Sequence, residues 1–148
     1  MKRIVTLIMC VWVLASCQES REEAMYRLVN EWNGKEIKFP SRSVFTIQGK
    51  DTVDFDFGNA EYKVITYIDS VGCTSCKLQL PRWKKLVAEV DSLTNGRVPF
   101  LFYFHPKDRK ELRYLTIREG FIYPVCFDEK DDFNRFNRFP NEMIDRKS

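Results

Sequence analysis

Residues 67–81 read Tyr-Ile-Asp-Ser-Val-Gly-Cys-Thr-Ser-Cys-Lys-Leu-Gln-Leu-Pro, and they carry most of what this sequence indicates about fold and function. The stretch begins at the end of Tyr62–Ile68, a nearly continuous run of apolar and β-branched residues that is typical of a central strand covered on both faces. A short loop follows, and a helical pattern with a broad apolar face then runs from Cys73 to about Thr94. The sequence therefore predicts a Cys-x-x-Cys pair, Cys73 and Cys76, at the junction between a buried strand and a helix.

The start of a helix is a favourable place for a reactive thiol. The free backbone N–H groups and the positive end of the helix dipole stabilise a thiolate there and lower the cysteine pKa below its free value of ~8.5. The two-residue spacing lets the sulfur of Cys76 reach that of Cys73, so disulfide exchange can proceed through a mixed disulfide. Pro81 removes the N–H that would bond to the carbonyl of Lys77, and we expect a helix kink one turn after the cysteines.

The rest of the chain alternates between strand and helix patterns. Helices are predicted over Ser20–Asn33, Cys73 to about Thr94, Lys107–Glu119 and, for one or two turns, Asp131–Phe139. Strands are predicted over Lys35–Phe39, Val44–Ile47, Thr52–Phe57, Tyr62–Ile68, Val98–Phe104 and Tyr123–Phe127, with a hairpin turn at 48–51. This order implies right-handed crossovers and an α/β layer fold with a mainly parallel sheet.

The N-terminus has the pattern of an export signal. Lys2 and Arg3 precede an apolar run of about ten residues, which is too short to span ~30 Å of hydrocarbon. The run ends in Leu-Ala-Ser-Cys at Cys17, which resembles the bacterial lipobox, whose Cys receives a diacylglyceryl group and becomes the new N-terminus. We therefore expect a lipoprotein signal peptide over 1–16, an anchor and helix over 17–34 and one domain over 35–148. The protein is expected to be lipid-anchored to a bacterial cell-envelope membrane, facing the periplasm or the cell surface.

Charge and composition exclude several function classes. Two of the 24 basic residues lie in the predicted signal, so the chain from Cys17 on has a net charge of about +1 and no electrostatic footprint for nucleic acid. The single His makes His-rich metal sites and Ser-His-Asp catalysis poor interpretations. Three cysteines remain in an oxidising compartment after removal of the signal and lipidation of Cys17, and an odd number does not fit a framework made only of disulfides.

The motif around the two cysteines resembles that of the thioredoxin-like superfamily. Cys-x-x-Cys-Lys-x-x-x-Pro is present as Cys73, Cys76, Lys77 and Pro81, whereas Gly72 stands where the family has a Trp or similar residue. With the lipobox, the added N-terminal strands and a Tyr-Pro-Val-Cys-Phe-Asp segment at 123–128, the chain is most similar to membrane-anchored TlpA-like and AhpC/TSA-type thiol-redox lipoproteins.

The resemblance implies a thioredoxin-like three-layer sandwich with a mixed sheet and an N-terminal helix and hairpin extension. It also implies that Cys73 attacks, that Cys76 resolves, that Lys77 and Pro81 support the site, that the partners are protein thiols or disulfides, and that no cofactor is needed. The family continues with a strand carrying a cis-Pro, a hairpin partner and a last helix. Only eight residues follow Pro140, and six of them are polar or charged, so we expect these elements to be missing and the strand before the cysteines to be left at an edge.

Other interpretations of the same residues stay open. Cys-x-x-Cys is also half of a zinc site, or its two cysteines form a structural disulfide. Cys73, Cys76 and His105 together could bind copper. Ser70-x-x-Cys73 matches part of the peroxiredoxin motif and allows peroxide reduction at Cys73. A further alternative is a non-catalytic binding or structural module derived from a thioredoxin fold.

The remaining polar residues near these elements have simpler interpretations. Cys126, on a predicted strand, is expected to be a buried, inert thiol. His105 and Asp69 are expected to be ordinary loop and turn residues. The charged run Asp128–Arg138 predicts a solvated surface.

Overall fold

The computed structural model describes residues 20–69 and 78–140 of the chain. The chain divides into two units, Met1–Glu36 and Ile37–Ser148. Among the described residues, no helix has both the length and the apolarity needed to cross a bilayer.

The described part of the first unit is dominated by helix α1 (Arg21–Trp32), which confirms the helix predicted there. Its start is fixed by a capping box. The Ser20 hydroxyl accepts the Glu23 N–H at 3.2 Å, and the Glu23 carboxylate accepts the Ser20 N–H at 3.0 Å. Two of the backbone donors that a helix start leaves without a partner are thereby satisfied within the unit.

The second unit is an α/β domain, as the alternating pattern predicted, and its described residues form a five-stranded sheet that is mixed rather than mainly parallel. In chain order its elements are β1 (Phe45–Ile47), β2 (Asp51–Val53), β3 (Val64–Ile68), α2 (Leu80–Thr94), β4 (Phe100–Phe104), α3 (Arg109–Arg118), β5 (Pro124–Phe127) and α4 (Asp132–Asn137). The sheet order is β2-β1-β5-β4-β3. Strands β3, β4 and β5 are parallel, and β1 runs antiparallel to both β5 and β2.

The hairpin between β1 and β2 confirms the turn that was predicted at 48–51. Gly49 has φ +65, and a Cβ built on it would lie 2.7 Å from the ring of Phe127. The position therefore needs glycine both for its backbone conformation and for the close approach of an aromatic ring.

The two faces of the sheet carry separate apolar clusters. On one face, α2 and α3 pack against the strands, and the buried members of this cluster are Leu78, Leu80, Val87, Phe100, Phe102, Phe104, Leu112, Leu115, Phe121 and Val125. The other face is covered by an aromatic cluster whose buried members are Phe45, Leu101, Tyr103, Cys126 and Phe133. β4 is buried along its whole length because its side chains supply both clusters.

The prediction of a strand over Lys35–Phe39 is wrong. This segment forms no ladder, although its alternation is real: Ile37 and Phe39 pack on the aromatic cluster. The backbone between them is satisfied by one side chain, because the Asn137 amide accepts the Lys38 N–H and donates to the Lys38 carbonyl, each at 2.8 Å. A side-chain amide thus takes the place of a neighbouring strand.

The strand predicted over Thr52–Phe57 is too long. β2 ends at Val53, after which Asp56 accepts the Gly58 N–H at 2.9 Å in a local turn. The predicted facing is nevertheless correct, since Val53, Phe55 and Phe57 all pack on the aromatic cluster.

The predicted helix beginning at Cys73 is interrupted in its described part. Gln79 has φ 40 and ψ 39, a left-handed conformation, and α2 begins after it at Leu80. Pro81 consequently lies in the first turn of α2, where its missing N–H needs no partner, rather than at a kink within one continuous helix. The predicted apolar face is also too broad, since Leu86 and Leu93 are exposed.

Candidate functional site

The carboxyl ends of the three parallel strands define the edge where the predicted site begins. β3 ends at Ile68, five residues before Cys73, and its last carbonyl accepts the His105 N–H at 2.8 Å. One strand further along the sheet, the Phe104 carbonyl accepts the Asp128 N–H at 2.9 Å. Ligands of open parallel sheets commonly bind beyond this edge. Asp69, which follows β3, therefore lies at the same edge of the sheet as the residues that follow β4 and β5.

The only histidine of the chain is held in one tautomer at this edge. The Nδ1 atom of His105 lies 2.8 Å from the backbone oxygen of Asp128, and a carbonyl oxygen can only accept a hydrogen bond. Nδ1 therefore carries the proton, and in the neutral ring Nε2 keeps its lone pair. The prediction of an ordinary loop residue missed this because the contact depends on residues 23 positions apart in sequence.

Asp128 joins the end of β5 to the start of α4. Its two carboxylate oxygens accept the Asp132 N–H at 2.9 Å and the Phe133 N–H at 2.8 Å, and the residue is 8% exposed. The predicted solvated surface over Asp128–Arg138 is therefore wrong at two positions, because Phe133 is fully buried as well. The charged residues around them gave no indication that Asp128 is a buried helix cap or that it positions the buried ring of Phe133.

Tyr67 and Asp131 form a polar contact beside the same edge. The Tyr67 hydroxyl donates to Oδ1 of Asp131 at 2.5 Å, and its ring stacks on Phe139 with centroids 5.5 Å apart. Burial raises the pKa of Tyr67 well above its usual range, and the hydrogen bond and charge of Asp131 and the charge of Asp69 act in the same direction. The Tyr67 hydroxyl is thus a fixed neutral donor, which sequence patterns gave no means of predicting.

The residues predicted to perform the chemistry lie outside the described residues. Cys73, Cys76 and Lys77 fall in the segment 70–77, and the predicted lipidation site Cys17 precedes residue 20. Of the predicted site residues, the structure describes Pro81, near the start of α2. Among the described residues, no cluster of three or more His, Cys, Asp and Glu side chains could hold a metal ion.

Cys126 is a free thiol on β5, and it is 7% exposed, so the predicted burial is confirmed. Burial raises the pKa of Cys126 to about 12, the charge of Asp128 adds to this, and a hydrogen bond with the backbone of Val44 opposes it. The thiol is consequently protonated at neutral pH and weakly nucleophilic.

Comparison with known proteins does not assign the chain to a family, because no family model, curated protein or solved structure matches it. The chain is an α/β protein with a mixed sheet, and the candidate site lies at the carboxyl ends of the parallel strands β3, β4 and β5.

Proposed function

We propose that this protein is a thioredoxin-like thiol-disulfide oxidoreductase that exchanges disulfides with other proteins through Cys73 and Cys76. The observation that carries the proposal is the position of the Cys-x-x-Cys segment, which follows the carboxyl end of the parallel strand β3 and precedes α2. The thioredoxin-like arrangement is part of the proposal, and it is supported by the parallel order β5-β4-β3 and by the aromatic and helical layers on the two faces of the sheet.

The reaction follows from the chemistry of two adjacent thiols. The Cys73 thiolate attacks one sulfur of a partner's disulfide, forms a mixed disulfide and expels the partner's first thiolate. The Cys76 thiolate then attacks the Cys73 sulfur and expels the partner's second thiolate, so that Cys73 and Cys76 become the disulfide. Two electrons pass from the dithiol to the partner, and the two thiol protons end on the partner's two sulfurs. The reverse sequence oxidises a partner dithiol.

The carboxyl edge of the sheet, at which β3 ends before segment 70–77 in the sequence, offers groups suited to this chemistry. His105 presents Nε2 as a proton acceptor because Nδ1–H is fixed on the Asp128 carbonyl. The Tyr67 hydroxyl, which burial and Asp131 keep neutral, cannot compete as a base. We assign His105 the role of a proton-transfer group for the dithiol in this proposal.

The membrane setting belongs to the same proposal. Lipidation at Cys17 anchors the protein to a bacterial cell-envelope membrane, with the domain facing the periplasm or the cell surface, where protein disulfides persist. Its partners are exported proteins with exposed thiols or strained disulfides.

Alkylation rates and trapping test the proposal. In the reduced protein at pH 7 we expect iodoacetamide to modify Cys73 faster than Cys76, and Cys126 slowest, as measured by mass spectrometry of peptides over time. In Cys76→Ser, mixed disulfides with partner proteins should accumulate on Cys73, because the resolving thiol is gone. Cys126→Ala is the matched control and should leave both results unchanged.

Three outcomes contradict the proposal in different ways. Faster labelling of Cys76 means that the helix start and the roles of the two cysteines are misassigned. Unreactive cysteines with one equivalent of copurified zinc indicate a metal site. Reactive cysteines that trap no protein, together with rapid consumption of hydrogen peroxide by Cys73, indicate a peroxidase.

A further inference from the structure

Strand β3 lies at one end of the described sheet, and no strand among the described residues pairs with its outer edge. The strand reads Val-Ile-Thr-Tyr-Ile over five residues, without a charge, a proline or a glycine. Natural proteins usually protect an edge with a charged residue, a proline or a bulge, because an open edge pairs readily with another strand. The other edge strand, β2, has three residues and begins with a charged one, Asp51.

The hydrogen bonds to β4 show which backbone groups face outward. The Val64 N–H donates to the Pro99 carbonyl at 3.0 Å, and the Ile68 carbonyl accepts the His105 N–H at 2.8 Å. Because backbone groups alternate in direction along a strand, residues 64, 66 and 68 face β4. The N–H and C=O groups of Ile65 and Tyr67 therefore face the open edge.

The outer edge of β3 is complementary to itself. If two copies pair antiparallel about Thr66, Ile65 of one copy lies opposite Tyr67 of the other, so the outward-facing groups meet in hydrogen-bonded pairs. The same register places Lys63 opposite Asp69 of the second copy at both ends of the pairing, since the two positions are equally distant from Thr66. Opposite charges in directly facing positions stabilise strand pairing, and like charges there destabilise it.

The side chains next to this edge also fit a second copy. A groove of about 350 Å³ runs between β3 and α2, and its lining includes Thr66, Ile68, Trp83 and Leu86. Leu86 is 41% exposed although it is apolar. Antiparallel pairing within one sheet requires a two-fold axis perpendicular to the sheet, so the grooves of both copies would lie next to each other on the same face.

We propose that the outer edge of β3 is a self-association surface, on which two copies of this chain pair antiparallel about Thr66 and continue one sheet across the dimer. The Lys63 ammonium can take part without losing its present contacts. It donates to the carbonyls of Ala60 at 2.5 Å and Gly58 at 3.5 Å, and an ammonium has three N–H donors. The partner is a second copy because the charges that flank β3, on Lys63 and Asp69, are complementary in this antiparallel register.

A charge-reversal series measured by light scattering tests the register. The full chain, reduced and in a mild detergent at low salt, is expected to be a dimer. Lys63→Asp and Asp69→Lys each place like charges opposite each other at both ends of the pairing, and each should raise the dimer dissociation constant about ten-fold or more. The double variant Lys63→Asp/Asp69→Lys restores opposite charges and should restore the dimer. Lys50→Asp is the matched control, because Lys50 directly precedes β2 at the other edge, and it should not change the dissociation constant.

Amide hydrogen exchange tests which groups are covered. The Ile65 and Tyr67 amides should become protected as protein concentration rises, whereas the Thr66 amide, which faces β4, should be protected at every concentration. A chain that stays monomeric at millimolar concentration overturns the proposal, as does a double variant that stays monomeric. Protection of Ile65 and Tyr67 in a monomer overturns it too, because another part of the chain would then cover the edge. These readouts do not involve the cysteines, so they are independent of the proposed redox function.

Discussion

Removal of the Asp128 carboxylate should destabilise the domain more than removal of an ordinary helix cap. Asp128→Ala leaves the N–H groups of Asp132 and Phe133 without their acceptor at the start of α4. The site is largely shielded from water, because Asp128 is 8% exposed and Phe133 is fully buried. Phe133 in turn stacks on Tyr103 with centroids 4.1 Å apart, so the loss of the cap also loosens the aromatic cluster.

The size of the effect follows from these two hydrogen bonds. A hydrogen bond to a charged group contributes about 1.5–3 kcal/mol, and an N-cap replaced by Ala costs about 0.5–2 kcal/mol. The two donors share one acceptor group, so their contributions do not simply add. We expect Asp128→Ala to lower the free energy of unfolding by about 3 kcal/mol. Asp128→Asn keeps one acceptor oxygen and should cost about half as much.

The matched control is Asp108→Ala at the start of α3. Asp108 also caps a helix, but it accepts a single N–H, from Lys110 at 2.7 Å, and it is exposed. This variant should lose about 1 kcal/mol. Urea unfolding followed by tryptophan fluorescence and circular dichroism gives both values. Equal losses for the two alanine variants would refute the argument that burial decides the strength of the Asp128 cap.

Three further predictions concern the anchor, alkaline stability and the hairpin. Cys17→Ser should move the protein from the membrane fraction to the soluble fraction, and its retention after a carbonate wash would contradict lipidation. Burial raises the pKa of Cys126 and of Tyr103, each to about 12, so the unfolded chain loses these protons at lower pH than the folded chain. The free energy of unfolding should therefore fall as pH rises from about 9 towards 12, and it should fall less steeply in Cys126→Ala. Gly49→Ala should lower the free energy of unfolding by at least about 1 kcal/mol, because φ is +65 and the new methyl group meets Phe127, and urea unfolding measures the loss.

Sequence periodicity predicted those elements whose side chains decide their conformation. The hairpin between β1 and β2 was predicted from its turn residues, and the buried strand β4 from its run of apolar residues. The segment Lys35–Phe39 has the same alternation as a strand, but its backbone bonds to Asn137, a partner 99 residues away that no local pattern indicates.

The carboxyl edge of the sheet was predicted less completely than the strands that form it. The sequence placed Cys73 and Cys76 after β3 but gave no sign of the contact between His105 and the Asp128 carbonyl, because that contact requires the register of β4 on β5. The composition of Tyr62–Ile68 indicates a strand covered on both faces, and the separate expectation that this strand lies at an edge agrees with β3 as the last strand of the described sheet. Composition reports how apolar a strand is, and it does not report how many neighbours the strand has.

The third thiol of the domain bears on whether a two-cysteine exchange can proceed without side reactions. A mixed disulfide on Cys73 can be attacked by any thiolate that reaches it, and the rate depends on the fraction of that thiol which is ionised. With the pKa of Cys126 raised to about 12, very little of this thiol is ionised at pH 7. Its position on β5 within the aromatic cluster also keeps a partner's sulfur away from it. In the proposed exchange reaction, burial of Cys126 suppresses the competing thiol, and the packing that buries it also holds β1 against β5.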